Sequence, residues 1–189
     1  MFIELSKHNY VMFIPPDMSY VKPFRKEIQN TLTKHNFNSI DISKIVLACD
    51  EAITNSITAN VSQKSEETII CKWRIQDSKF SLLILDYGKG FKLSETTMNN
   101  PQPESFEEYS KGITDYQKQV DRKLPYDGVE KQHKNMGKGL KIIHSLMDTV
   151  KISYHSNAEI TDNPNVSKIN GSILEIEFDS INHIKDSSI

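Results

Sequence analysis

Glu51 and Asn55, Asp86 with Gly88 and Gly90, and Gly137 with Gly139 form three clusters of residues suited to nucleotide chemistry. They stand in the segments Glu51-Ala-Ile-Thr-Asn55, Asp86-Tyr-Gly88-Lys-Gly90 and Asn135-Met-Gly137-Lys-Gly139-Leu140. Together they supply carboxylates, an amide oxygen and glycine turns, the set that a nucleoside triphosphate and its metal require. Magnesium takes hard oxygen ligands and binds through few protein groups plus substrate phosphates, so the Asn55 amide oxygen suffices as a ligand. A carboxylate one helical turn away, Glu51, can accept a proton from an attacking hydroxyl or water. Asp86 can take a hydrogen bond from an exocyclic amine such as that of adenine. Glycines that open a helix present free N–H groups and the positive dipole end together, which suits phosphate. Each cluster alone has a plainer reading: a solvated helix face, an Asp-x-Gly turn, and an ordinary helix start.

The surrounding elements must position these groups. Asp41 is the expected N-cap of a helix running to Ala59, in which Ile42, Val46, Cys49, Ile53 and Ile57 recur as one apolar stripe. Glu51 and Asn55 share a helix face, and at about 100° per residue that face lies roughly opposite the stripe. Phe80-Ser-Leu-Leu-Ile-Leu85 is hydrophobic on both faces, which predicts a central strand with Asp86 at its end. Leu140, Ile143, Met147 and Val150 recur at helical spacing straight after Gly139. Further strands are expected at Phe2–Leu5 and Tyr10–Ile14, with a helix at Met18–Lys34. Thr68–Ile75 and Lys79–Leu85 read as a hairpin turning at Asp77-Ser78, and Val150–Tyr154 and Ser172–Phe178 as the last strands. Runs of strands rather than strict alternation predict an α+β fold, a two-layer α/β sandwich with a mixed sheet and helices on one face.

About 45 residues separate Phe91 from Asn135, more than compact domains usually leave unstructured. Within that stretch Phe106, Tyr109, Ile113, Tyr116 and Val120 recur at steps of three and four, predicting an amphipathic helix inside Glu104–Lys123. Residues 91–136 are therefore read as an extended nucleotide lid or a partner-docking element of an otherwise single domain. A chain of 189 residues, 37% hydrophobic, suffices for one domain with a core. Net charge −2 and a sequence pI near 6.3 argue against a nucleic-acid footprint. No apolar run approaches membrane-spanning length and Met1–Pro16 lacks the features of a signal peptide, so a cytoplasmic location is expected. Cys49 and Cys71 fall on apolar faces and read as buried reduced thiols. The six histidines show no metal-ligand spacing.

In order and content the segments resemble the Bergerat-fold (GHKL) ATPases, specifically the bacterial anti-sigma factor serine/threonine protein kinases with their histidine-kinase-like ATPase domain. Ile45–Ile57 resembles that family's asparagine box, Leu82–Phe91 its first glycine box and Gly137–Val150 its second. Ile14–Val21 resembles its first strand and the start of its first helix, and Gly171–Phe178 its final strand. The resemblance implies ATP and magnesium (Mg2+) as cofactors, Glu51 as the catalytic base and Asn55 as the magnesium ligand. It implies Asp86 as the adenine reader, with the Ser172 hydroxyl as its helper. Gly88, Gly90, Gly137 and Gly139, followed by Leu140, become nucleotide-facing turns, and Lys138 between the lid glycines can reach a phosphate. Two features depart from the pattern. Thr58-Ala59-Asn60 stands where many relatives place a histidine, and the gap between the glycine boxes is longer than usual.

The same resemblance implies an ATP-dependent kinase that phosphorylates a small anti-sigma antagonist protein. Otherwise it would hold an RNA polymerase sigma factor, as a homodimer, with no direct nucleic-acid or membrane contact. Other classes stay open. One is a nucleotide-dependent protein-binding module without phosphoryl transfer, against which the intact Glu51 argues. Another is a stand-alone catalytic domain of a sensor histidine kinase, which needs its phosphoacceptor on a separate chain. A repair- or chaperone-type ATPase would need further domains.

Overall fold

The layering follows from alternation along a single strand, β3 (Ile69–Gln76). Ile69, Cys71, Trp73 and Ile75 are buried, while Lys72, Arg74 and Gln76 are exposed. Trp73 donates from Nε1 to Thr31 Oγ1 at 3.1 Å and meets the Phe24 ring edge-on, with centroids 6.1 Å apart. Thr31 and Phe24 both belong to α1 (Val21–Lys34), whose Phe24, Ile28, Thr31 and Leu32 are buried. The helical layer therefore covers the apolar side of the strand, and the charged side faces away from it.

The computed structural model describes residues 1–88, 139–157, 159–163 and 168–183, which all fall within one compact unit. β1 (Phe2–Ser6) and β2 (Asn9–Ile14) lead through a short 3-10 turn at Met18–Tyr20 into α1, then α2 (Ser39–Ser62), β3 and β4 (Lys79–Leu85). After residue 138 come α3 (Gly139–Leu146), β5 (Thr149–Ser156), β6 (Glu159–Thr161), β7 (Gly171–Asp179) and α4 (Ser180–His183). Residues 91–136, expected to hold a lid with its Glu104–Lys123 helix, lie outside the described residues, as do Gly90, Gly137 and Lys138.

The architecture is α+β, with one sheet in the order β1-β2-β3-β4-β7-β5-β6. Every pairing among the described strands is antiparallel, where a mixed sheet was expected. The connectivity explains the difference. Two helices, α1 and α2, join β2 to β3, so the chain reverses direction three times and returns antiparallel. β4 and β5 do run parallel to each other, since each is antiparallel to β7. However, β7 pairs with both of them and lies between, so the two parallel strands never touch.

Local sequence chemistry accounts for most boundaries. β3 and β4 form the expected hairpin, in which Gln76 pairs with Lys79 and Asp77 takes the left-handed conformation (φ 55°) that a two-residue turn needs. The N-cap of α2 is Asn38 rather than Asp41. Asn38 Oδ1 accepts from Asp41 N at 2.9 Å, and Asn38 Nδ2 donates to the Asp41 carboxylate at 2.8 Å. The buried stripe of α2 is also rotated from the expected one: Ile45, Ala48, Cys49, Ala52, Ile53, Ser56 and Ile57 are buried, while Ile42 and Val46 are only partly so. α3, α1 and the sheet all pack on α2, which widens the covered face beyond a single stripe. In α3 the buried side chains are Ile142, Ile143 and Leu146 rather than a stripe through Leu140, and Val150 already belongs to β5. Cys49 and Cys71 are free thiols in the core, as expected.

Candidate functional site

Asp86 stands at the end of β4 and is 1% exposed. Its Oδ1 accepts from Gly88 N at 3.0 Å and Ser172 N at 3.2 Å, and its Oδ2 accepts from Ser172 Oγ at 2.8 Å. A buried carboxylate is costly unless its oxygens find donors, and these three supply most of that need. An ionised carboxylate offers roughly four acceptor positions, so about one remains for a ligand amine. Ser172 lies 86 residues along the chain. Pairing of Leu85 with Ile173 brings the two together where β4 and β7 meet.

Glu51 and Asn55 are each partly buried on α2, not on a freely solvated face. The start of α3 covers them. A Cβ added at Gly139 would lie 2.9 Å from Glu51 Oε2 and Asn55 Nδ2, and 3.3 Å from Asn55 Oδ1. A side chain at this position would have to displace the ends of both groups. The arrangement brings a carboxylate and a side-chain amide against the first described turn of α3. The Asn55 amide oxygen is a hard ligand of the kind that suits a magnesium ion completing its shell with phosphate and water. Among the described residues no group of three or more His, Cys, Asp or Glu forms a protein-only metal cage. Leu140 follows Gly139 on α3 and is partly buried.

Asp50, the residue before Glu51, faces α1 and forms an ion pair with Arg25, Nε to Oδ2 at 2.5 Å. Its carboxyl is pushed up to about 6, mainly by burial; Arg25 opposes the shift and the nearby Glu51 charge adds to it. Adjacent carboxylates on α2 thus have different environments, one against α1 and the other under α3.

Sequence reasoning missed Asn60. It is fully buried on α2, accepts from Tyr87 N at 2.8 Å through Oδ1, and donates to Glu67 O at 3.0 Å through Nδ2. This amide ties the end of α2 to the residue after Asp86. Its place on the buried face beside Ile53, Ser56 and Ile57 was the available signal, because a buried polar side chain must bond something specific. The stretch that departs from the asparagine-box pattern thus serves as an anchor. His155 was missed as well; its imidazole lies 2.7 Å from the Asp86 carbonyl oxygen.

Residues 14–162 match the histidine kinase-like ATPase domain family. The chain belongs to this family, and with its sheet and helical layer it falls among the GHKL, or Bergerat-fold, ATPases, whose domains are ATP-binding and kinase-like. The matched region runs from the end of β2 through β6 and includes Glu51, Asn55, Asp86 and Gly139; Ser172 lies beyond it. Among curated proteins none matches the chain. Among the described residues no helix is long and apolar enough to cross a membrane.

Proposed function

We propose that the protein is an ATP-dependent serine/threonine kinase that also acts as an anti-sigma factor. The observation that supports it most is the convergence of Glu51 and Asn55 under the first residue of α3, in a histidine kinase-like ATPase domain. A domain that only bound nucleotide would have no need of a carboxylate at that point.

In this reading Asp86, held by Ser172, accepts the adenine amine, and Asn55 supplies the protein oxygen to Mg2+. When bound, that ion neutralises charge on the phosphates. Glu51 takes the proton of a serine or threonine hydroxyl as its oxygen attacks the γ-phosphorus, and the bond to the β-phosphate oxygen breaks to release ADP. Gly139 and the N–H groups behind it face the phosphates. Gly88, Gly90, Gly137, Lys138 and Leu140 are the remaining nucleotide-binding candidates of this reading. The phosphoacceptor is a small anti-sigma antagonist; in its absence a homodimer of this chain holds a sigma factor in the cytoplasm.

The experiment is a pull-down from native cytosol with and without ATP, followed by mass spectrometry of bound proteins and their phosphosites. A sigma factor together with a small partner phosphorylated on serine or threonine is the expected result. Phosphate on a histidine of a separate chain would overturn the substrate assignment in favour of a sensor histidine kinase.

A further inference from the structure

The main-chain carbonyl of Asp86 has lost its ladder partner. Asp86 N donates to Ser172 O at 2.9 Å, which makes these residues an antiparallel pair of the kind that exchanges two main-chain bonds. The return bond goes elsewhere. Ser172 N donates to Asp86 Oδ1 at 3.2 Å, on the side chain, and leaves the carbonyl oxygen needing another donor. His155 supplies it, with Nε2 at 2.7 Å. A carbonyl only accepts, so Nε2 carries the hydrogen.

His155 reaches this oxygen from β5, two strands away, across its β7 partner Gly171. A Cβ on Gly171 would lie 2.2 Å from His155 Nε2 and 1.8 Å from Asp86 O, so the imidazole occupies the space that a side chain would fill. Tyr87 meets the ring edge-on, with centroids 5.2 Å apart. Strand register, the missing Cβ and the diverted ladder bond all converge on one hydrogen bond.

We propose that His155 is a positioning residue for adenine recognition: by satisfying the Asp86 carbonyl, it keeps the Ser172 N–H on the Asp86 carboxylate. This rests on the reading of Asp86 as the acceptor for adenine's amine. Without the imidazole, the carbonyl competes for Ser172 N–H, the ordinary ladder bond re-forms, and the carboxylate loses one of the donors that aim it. His155 acts through Asp86 and needs no contact with the nucleotide.

The test compares ATP with inosine triphosphate, which carries an oxygen where adenine has its amine. Binding of both is measured by calorimetry on the full chain, for wild type, His155→Ala and His155→Gln. Wild type prefers ATP. His155→Ala lowers ATP affinity by roughly tenfold, the scale of one lost hydrogen bond to a charged group, and leaves inosine triphosphate nearly unchanged. Glutamine places an N–H at similar reach and restores most of the preference. Should the alanine variant fail to fold, His155→Leu, which fills much of the ring's volume without a donor, takes its place with the same expectation. Equal losses for both nucleotides, or an unchanged preference, would overturn the positioning role while leaving Asp86 in place. A wild type that does not distinguish the two nucleotides would overturn the Asp86 reading itself, and this inference with it.

Discussion

Replacing Asp86 by asparagine separates adenine recognition from folding, because the hydrogen bonds around the carboxylate dictate how the amide must sit. Two main-chain donors, Gly88 N and Ser172 N, point at Oδ1. The single oxygen of asparagine must occupy that position, which puts its NH2 where Oδ2 was. Ser172 Oγ, which donates to Oδ2 at 2.8 Å, then has to rotate and accept. An incoming amine donor meets a donor. The protein keeps both main-chain bonds and the same shape, so its unfolding transition should move little. The ligand loses a hydrogen bond to a charged acceptor, about 1.5–3 kcal/mol, or roughly ten- to a hundredfold in affinity. Calorimetry with ATP, run beside thermal unfolding of the free protein, reads both quantities. Equal ATP affinity in Asp86→Asn and wild type would remove Asp86 from the site. Asp86→Ala is less informative, because it leaves every donor orphaned and mixes folding with binding.

Glu51→Gln keeps size and hydrogen bonding but cannot take a proton, so Mg-ATP should bind nearly normally while phosphoryl transfer falls by about 10²–10⁴-fold; transfer at the wild-type rate would refute the assigned role. Asn55→Ala should abolish the magnesium dependence of ATP binding, measured by titration with and without the ion. Asn60→Ala orphans Tyr87 N and Glu67 O, and urea denaturation should show a loss of about 1–3 kcal/mol; a stability change near zero would mean that these groups find other partners. For Asp50, burial pushes the folded carboxyl up to about 6, above its unfolded value. The folded state therefore holds the proton more tightly, and this contribution to stability is fully present below about pH 4 and lost as pH rises through the folded value. The slope is at most about 1.4 kcal/mol per pH unit. Asp50→Asn should flatten that part of the pH dependence in urea melts, and an unaltered slope would point to another group.

The sequence by itself determined what is local. Spacing of four placed Glu51 and Asn55 on one helix face, alternation marked β3, a doubly hydrophobic run marked β4 as central, and Asp77-Ser78 marked the turn between them. Family resemblance added the order of the boxes, and the match over residues 14–162 agrees at the level of the ATPase domain. Only the tertiary structure decided how distant segments meet. Nothing in a short window says that β7 inserts between β4 and β5, so an all-antiparallel sheet was not legible. The contact that covers Glu51 and Asn55 depends on where α3 docks, and docking is a property of two surfaces rather than of one periodicity. The raised Asp50 carboxyl is of the same kind, since burial against α1 sets it while its sequence neighbours only modify it. His155 shows the limit most clearly. Its role comes from a main-chain bond diverted to a side chain 86 residues away and from the missing side chain of Gly171. Hydrogen-bond satisfaction is an accounting over the folded whole, and a linear pattern carries only the part of it that neighbours in sequence can settle.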